Sequence, residues 1–358
     1  MCIRDRYLCT VKKEEIINVL VQLGTIFEAV ATSNVWHDYQ CGLTKEEWDN
    51  FQLLIKKEQQ HNPWFTQKNI KAALKGLSII LNKEELSTFS ERYTYSDTPK
   101  QIALIMAGNI PLVGFHDLIC VLLSGNNAVC KLSSQDSRIP MFVIRLLTEM
   151  DERLATKIQL VVGPLKNFDA VIATGSNNTI AQFESYFGKY PHIFRRNRTS
   201  IAVLTGEETN VELTALGDDC FLYFGMGCRN VSKIFIPRDF NTDRLFEAFL
   251  QHADLINHHK YGNNYDYNRT IFLMNSIPFL DNNCFMLKED KGLHAPLSVI
   301  YYERYDSLEE ATSFIQTHRQ ELQVIVGKNQ TPFGVAQTPK IDDFADDVDT
   351  MLWLNELT

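Results

Sequence analysis

The sequence predicts an α/β protein in which a mainly helical opening precedes sheet-bearing regions. Three observations lead there. Before residue 100, apolar side chains recur at helical spacing; from Gln101 onward, short apolar runs alternate with helical stretches; and several of those runs end in glycine or a small polar residue. Short strands alternating with helices of about a dozen residues indicate right-handed βαβ units and a parallel sheet.

Residues 13–34, "KEEIINVLVQLGTIFEAVATSN", place apolar residues at i, i+3, i+4 and i+7 and predict a first amphipathic helix. "TKEEWDNFQLLIKKEQQ" opens on Thr44 as a cap with an acidic first turn and predicts a second. "TQKNIKAALKGLSIILN" predicts a third, ended by Asn82, and "KEELSTFSERY" a fourth, with "HNPWF" (61–65) as a loop anchored by Trp64. The run "QIALIMAGN" (101–109) is nearly unbroken in its apolar character, as a strand buried on both faces is. There follow a helix "FHDLICVLLSG", a strand "NAVCKLS", a helix "IPMFVIRLLTEM", strands "IQLVVG" and "FDAVIATGS", a helix "NTIAQFESYFG" and a strand "SIAVLTG". Beyond Cys228 the same logic predicts strands "VSKIFIP", "RTIFLMN", "LSVIYYERY" and "LQVIVG". Helices are expected at "DRLFEAFLQHADLIN" and at "DSLEEATSFIQTH", the latter capped by Asp306 or Ser307. The tail "IDDFADDVDTMLWLNEL" turns from acidic to apolar and is expected to dock through Met351, Leu352, Trp353 and Leu354. The domain organisation expected is a helical region 1–98, a parallel-sheet domain 99–220, a second α/β domain 221–330 that carries Cys228, and a docking tail 331–358.

Composition narrows the function classes. A length of 358 residues suggests two domains, and a net charge of −9 argues against a nucleic-acid partner, which demands a basic face. No secretory apolar region opens the chain, and no run is expected to span a membrane. The eight cysteines lie far apart with no CxxC and no zinc spacing, so they read as reduced thiols in a cytoplasm, with no metal site. The opening "MCIRDR" breaks in composition from the residues after it and reads as a library or gene-calling scar.

Polar and glycine positions fall at the predicted strand ends: Asn109, Lys131, Gly175 and Ser176. A doubly wound sheet binds ligands where the carboxyl ends of its strands open into loops. No GxGxxG is present, so the standard dinucleotide fingerprint does not apply. Cys228 stands between a turn punctuated by Gly225 and Gly227 and a β-branched run, with Arg229 beside it. A cysteine is usually a small hydrophobe, and Cys120, Cys130 and Cys220, in apolar contexts, fit that description.

Four segments occur in order: "AGNIP" (107–111), "GNNAVCKLSS" (125–134), "ATGSNNT" (173–179) and "FGMGCRN" (224–230). This order resembles the aldehyde dehydrogenase superfamily, and "NPWFT" with the tail "FGVAQTPKIDDFADDVDTMLWL" resembles its LuxC-like acyl-CoA reductase branch. The resemblance implies that Cys228 attacks a thioester carbonyl, that Asn109 donates to the resulting oxyanion, and that Lys131 meets the adenosine ribose or a 2′-phosphate. It places Gly175 and Ser176 near the pyrophosphate, at the start of a helix. In NAD-restricted relatives an acidic residue stands three positions after the lysine. Here that position is Ser134, beside Ser133, so the expected cofactor is NADPH, with NADH open.

Two departures matter. Aldehyde-oxidising relatives carry a water-activating glutamate, whereas the corresponding "FRRNRTSIAVL" (194–204) has no carboxylate, which favours thioester reduction over aldehyde oxidation. Where relatives hold the nicotinamide with a glutamate and a phenylalanine, this chain aligns Gly292 and His294; His294 and Gly227 are candidates for the nicotinamide or substrate pocket. "RRNR" (195–198) is either a site for CoA phosphates or a basic solvated loop, and "INHHKYGNNYDYNR" (256–269) reads as a polar active-site loop or turn. The expected function is therefore an NADPH-dependent acyl-CoA reductase, acting on an acyl-CoA or acyl-carrier thioester. A homo-oligomer or acyl-transferring partner proteins are possible partners. The alternatives are an acyltransferase or acyl-binding subunit without hydride chemistry, and a reductase of a semialdehyde or acyl-phosphate.

Overall fold

The computed structural model describes residues 11–357; "MCIRDR", Cys2 and Cys9 lie outside them. The chain forms two units, one running through Arg196 and resumed from Lys340, the other Asn197–Pro339.

The first unit opens with α1 (Lys13–Thr32), α2 (Lys45–Glu58), α3 (Gln67–Ile80) and α4 (Lys83–Glu91). Thr44 and Glu47 form a reciprocal capping box at the start of α2, as its sequence predicts. Asn82 accepts from the Glu85 N–H and so begins α4 rather than ending α3. Helix α1 is the unit's apolar axis. Its 20 residues are long and apolar enough to cross a membrane by length and composition, contrary to the expectation from the sequence. Here Ile16, Leu20, Leu23, Phe27 and Val30 are buried in the unit's core, with Phe27 against Phe115 at 6.1 Å between ring centroids. Trp64, the expected loop anchor, packs half-buried on the same core.

The unit's sheet is wholly parallel, in the order β3-β2-β1-β4-β5. Its members are β1 (Gln101–Ile105), β2 (Asn127–Lys131), β3 (Ile158–Leu160), β4 (Ala170–Thr174) and β5 (His192–Arg195). Ile102, Ala103 and Leu104 are buried at its centre, which accounts for the unbroken apolar run of β1. Helices α5 (Phe115–Leu123), α6 (Arg138–Met150) and α7 (Asn177–Phe187) make the crossovers. The chain proceeds outward from β1 to β3, then returns to the other side of β1 for β4. The strand order therefore reverses between β1 and β4, the place where open α/β sheets receive ligands.

The second unit carries β6 (Thr199–Val203), α8 (Asn210–Phe221), β7 (Val231–Pro237), α9 (Asp243–Ala248), α10 (His259–Met274), β8 (Leu280–Asp281), β9 (Met286–Glu289), β10 (Val299–Tyr305), α11 (Leu308–Thr317) and β11 (Leu322–Gly327). Its sheet runs β11-β6-β7-β10-β9-β8, parallel except for the β8–β9 pair. Because β6 pairs with both β7 and β11, residues from Asn197 onward fold with the Cys228 segment, and the division falls at 196/197 rather than at 220/221. "RTIFLMN" is not a strand but the end of α10, whose Tyr261, Tyr265, Asn268 and Phe272 turn inward at i, i+4, i+7 and i+11. That periodicity spans the polar and the apolar stretch, so most of "INHHKYGNNYDYNR" is helix, capped by His258.

The tail divides. Residues to Pro339 stay with the second unit, where the Asp219 carboxylate accepts from Gly334 N (2.6 Å) and Ala336 N (2.9 Å). From Lys340 the chain belongs to the first unit, where α12 (Thr350–Glu356) buries Met351 and Leu354. Trp353 is half-buried, and Leu352, expected to dock, is exposed.

Candidate active site

In the first unit, the loop leaving β1 carries Asn109 and is clasped by the loop leaving β2. A Cβ on Gly108 would lie 2.6 Å from Ser133 Oγ, so only glycine fits that approach. Leu112 sits at φ +58°, and its N–H donates to Asp136 Oδ2 at 2.7 Å. Asp136 is buried and pushed up to about 7, chiefly by desolvation, against the lowering effect of the Leu112 N–H. Glu58, buried and 3.4 Å from the Arg138 guanidinium, adds like charge nearby.

Lys131 ends β2 half-buried, its carbonyl accepting from Met106 N. Ser133 Oγ accepts from Gln135 N, and Ser134 is exposed. Ser176 is the N-cap of α7, taking the Thr179 N–H and bonding the Thr179 hydroxyl at 2.8 Å. Gly175 N donates to Arg195 O across the β4–β5 pair. Asn109, Gly175 and Ser176 thus stand on the loops beside the β1–β4 reversal, with Lys131 one strand over.

The basic run has structural roles. Arg195 is buried, paired with Asp117 at 2.7 Å and bonded to Ala345 O and Thr350 Oγ1. Arg196 pairs with Glu184, and Arg198 donates to Leu322 O. The run is therefore not a wholly solvated loop: Arg195 is committed inside the first unit, while Arg196 stays exposed beside Glu184.

In the second unit, Cys228 precedes the amino end of β7. The turn before it runs through three consecutive left-handed residues, Tyr223 (φ 55°), Phe224 (φ 59°) and Gly225 (φ 77°). The two non-glycine residues cost about 1–2 kcal/mol each in that region, so the surroundings must over-determine it. Asn230 does much of this. Its Oδ1 accepts from Gly227 N (2.8 Å), and its Nδ2 donates to Asp219 O (3.0 Å) and Leu222 O (2.9 Å). Ser200 Oγ donates to the Cys228 carbonyl at 2.9 Å, and Arg229 to Ala336 O. The ring of Phe224 lies 4.4 Å from that of His258.

Among the described cysteines, Cys41, Cys120, Cys130, Cys220 and Cys284 are buried, while Cys228 is partly exposed. Burial pushes the Cys130 thiol up to about 12 and Cys284 to about 11, and raises Cys120 and Cys220 well above the ordinary value. Those four are inert by the physics that makes them buried. His294 is half exposed, with Nε2 3.7 Å from Glu321, whose other oxygen binds His318 at 2.8 Å. Gly292 is exposed, and its carbonyl accepts from Lys233 Nζ.

Sequence reasoning missed Asp136, Asn230, Ser200 and Lys233. Only Lys233 left a signal, a lone charge inside the apolar run "VSKIFIP".

The fold is that of the aldehyde dehydrogenases. Lactaldehyde dehydrogenase from Escherichia coli superposes with a TM-score of 0.62 at 13% identity, over 88% of this chain and 74% of that one. Mycobacterium tuberculosis aldehyde dehydrogenase, solved with NAD+, gives 0.57 at 13% identity over 84% and 70%. A propionaldehyde dehydrogenase mutant from Clostridium phytofermentans gives 0.58 at 10% over 93% and 83%. The acyl-CoA reductase (LuxC) family model matches residues 12–258, and the chain belongs to that family of oxidoreductases. No curated protein matches it.

Proposed function

We propose that this chain reduces an acyl thioester, of CoA or an acyl carrier, to the aldehyde in a cytoplasmic setting, with Cys228 as the group that takes the acyl chain. The observation that carries this reading is Cys228 itself. Within a family of acyl-CoA reductases it is the partly exposed thiol of the described set, held on a strained turn by Asn230 and Ser200. The Cys228 thiolate attacks the thioester carbonyl, forming the new C–S bond as the C–S bond to the carrier breaks, and the carrier leaves as a thiolate that takes up the proton Cys228 gave to solvent. After reduction the thiohemiacetal releases aldehyde and returns the Cys228 sulfur. By the family resemblance, Asn109 steadies the oxyanion of the tetrahedral stage.

The residues present fit a nicotinamide dinucleotide. Lys131 offers a cation at the carboxyl end of a parallel strand, and Ser134 offers an exposed hydroxyl where a carboxylate would repel a 2′-phosphate. The neighbouring carboxylate, Asp136, is buried and engaged with the Leu112 N–H. When bound, NADPH would supply the hydride. A second reading, acyl transfer without reduction, is favoured by Gly292 and His294, whose contacts are Lys233 and Glu321.

The test is NADPH oxidation, followed by absorbance, against acyl-CoAs of increasing chain length. Acyl-dependent oxidation with release of free CoA supports reduction. Release of CoA with no oxidation and no NADPH binding selects the second reading.

A further inference from the structure

Lys233 lies on β7, five residues beyond Cys228, and its side chain is fully buried. All three ammonium hydrogens have an oxygen: Asp290 O at 2.7 Å, Gly292 O at 3.1 Å and Glu303 Oε2 at 2.6 Å. The ammonium also lies 5.0 Å from the Phe235 ring centroid and 4.8 Å from that of Phe314. Its neighbour Ser232 donates to Leu293 O at 3.0 Å and bonds the Thr199 hydroxyl at 2.7 Å. Two successive β7 residues therefore hold three carbonyls of the segment 290–293. That segment also ties itself down, since Asp290 Oδ1 accepts from Gly292 N at 2.7 Å.

A buried ammonium is an expensive way to fill a core, and an apolar side chain of the same length would fill it with less desolvation. Burial lowers the affinity of Lys233 for its proton, while Glu303 and Asp290 work the other way. What an apolar side chain cannot do is fix two carbonyls of one loop in place. The loop lies between the end of β9 and the start of β10; its first residue still ladders to β10 through Asp290 N–H to Tyr302 O at 3.0 Å, and Leu293 is buried, so the Lys233 clamp acts chiefly on the Gly292 end.

We propose that Lys233 is a positioning residue that ties the strand following Cys228 to the 290–294 loop, and so sets the placement of Gly292 and His294 for the nicotinamide half of the cofactor. The clamp on the loop stands on geometry alone; its consequence for the cofactor rests on the reductase reading given above.

Lys233→Met preserves length and removes the three donors. Lys291, exposed in the clamped loop, is a tryptic site that reports on the loop directly. The thermal midpoint is expected to fall, since Glu303 and the two loop carbonyls lose their partner. In the full chain, limited trypsin digestion under native conditions followed by mass spectrometry is expected to show cleavage after Lys291 accelerated by about 10-fold or more, well beyond any change at other sites. In turnover, KM for NADPH is expected to rise while acylation of Cys228 by an acyl-CoA, measured without cofactor, keeps its rate. If Lys233→Met fails to fold, Glu303→Gln and Ser232→Ala each remove one part of the clamp and are expected to give smaller accelerations at the same site. Unchanged cleavage after Lys291 in a folded variant overturns the clamp. Faster cleavage with unchanged KM overturns the positioning role. Faster cleavage in a protein whose wild type neither binds NADPH nor oxidises it leaves the clamp standing and overturns the reductase reading, and the positioning role with it.

Discussion

Asp136 in the first unit and Asp219 in the second are both buried carboxylates beside a candidate site segment, yet they are satisfied differently. Asp136 accepts one N–H, from Leu112, three residues after Asn109, and its Oδ1 has no hydrogen-bond partner among the described residues. Asp219 accepts two, from Gly334 and Ala336, and its own carbonyl is held by Asn230 in the Cys228 turn. Each has a like charge nearby, Glu58 for the first and Asp218 for the second. Burial raises both, Asp136 to about 7 and Asp219 to about 6. Desolvation is the larger cause at both sites, and the second N–H at Asp219 works further against it, because a donor aimed at the charged form favours that form over the neutral one. It also separates the two segments by their sensitivity to pH. The loop of Asn109 hangs on a group that ionises near neutrality, whereas the turn of Cys228 is wired by the neutral amide of Asn230.

The substitution that breaks this contrast most visibly is Asp136→Asn. Between about pH 4 and 7 the folded chain keeps a proton on Asp136 that the unfolded chain has released, so stability falls as pH rises through that window and is level above it. Asparagine still accepts the Leu112 N–H but carries no charge. The variant is expected to match the wild type near pH 4 and to exceed it by roughly 2–4 kcal/mol at pH 8, measured by urea unfolding. Equal stability at both pH values would show that Asp136 is not buried as described.

Asp219→Asn sharpens the contrast from the other side. The wild-type window runs only from about pH 4 to 6. One of the two N–H groups, of Gly334 or Ala336, must face the amide's own donors, so removal of the charge is offset by an unsatisfied donor. The two effects are of similar size, so a net change within about 1 kcal/mol of zero at pH 8 is expected in the same assay. A gain equal to that of Asp136→Asn would contradict the donor count as the cause of the difference.

Much of the fold was legible because local signals agreed with burial. The cap at Thr44, the unbroken run of β1 and the alternation after Gln101 each point to the element found. The sequence failed where a local signal was overridden by packing. "RTIFLMN" is β-branched and apolar enough for a strand, but it continues a helix whose inward face begins at Tyr261. "RRNR" reads as a basic surface, but a carboxylate on α5 draws Arg195 inside. Of the candidate site, the positions of Lys131 at the end of β2 and Cys228 just before β7 followed from the pattern, whereas β1 stops at Ile105 and leaves Asn109 in the loop rather than at the strand's end. The groups that hold those segments, Asp136, Asn230 and Ser200, did not, because a polar side chain carries no mark in sequence of the backbone atom it will meet.

The central claim is that the Cys228 sulfur takes an acyl chain from a thioester. Incubation of the protein with an acyl-CoA in the absence of nicotinamide, followed by intact mass and peptide mapping, tests it most directly. The expected result is a mass gain of one acyl group, removed by hydroxylamine, mapped to the peptide of Cys228 and absent in Cys228→Ala. An adduct of the same yield in Cys228→Ala, or one mapped to another cysteine, would contradict it.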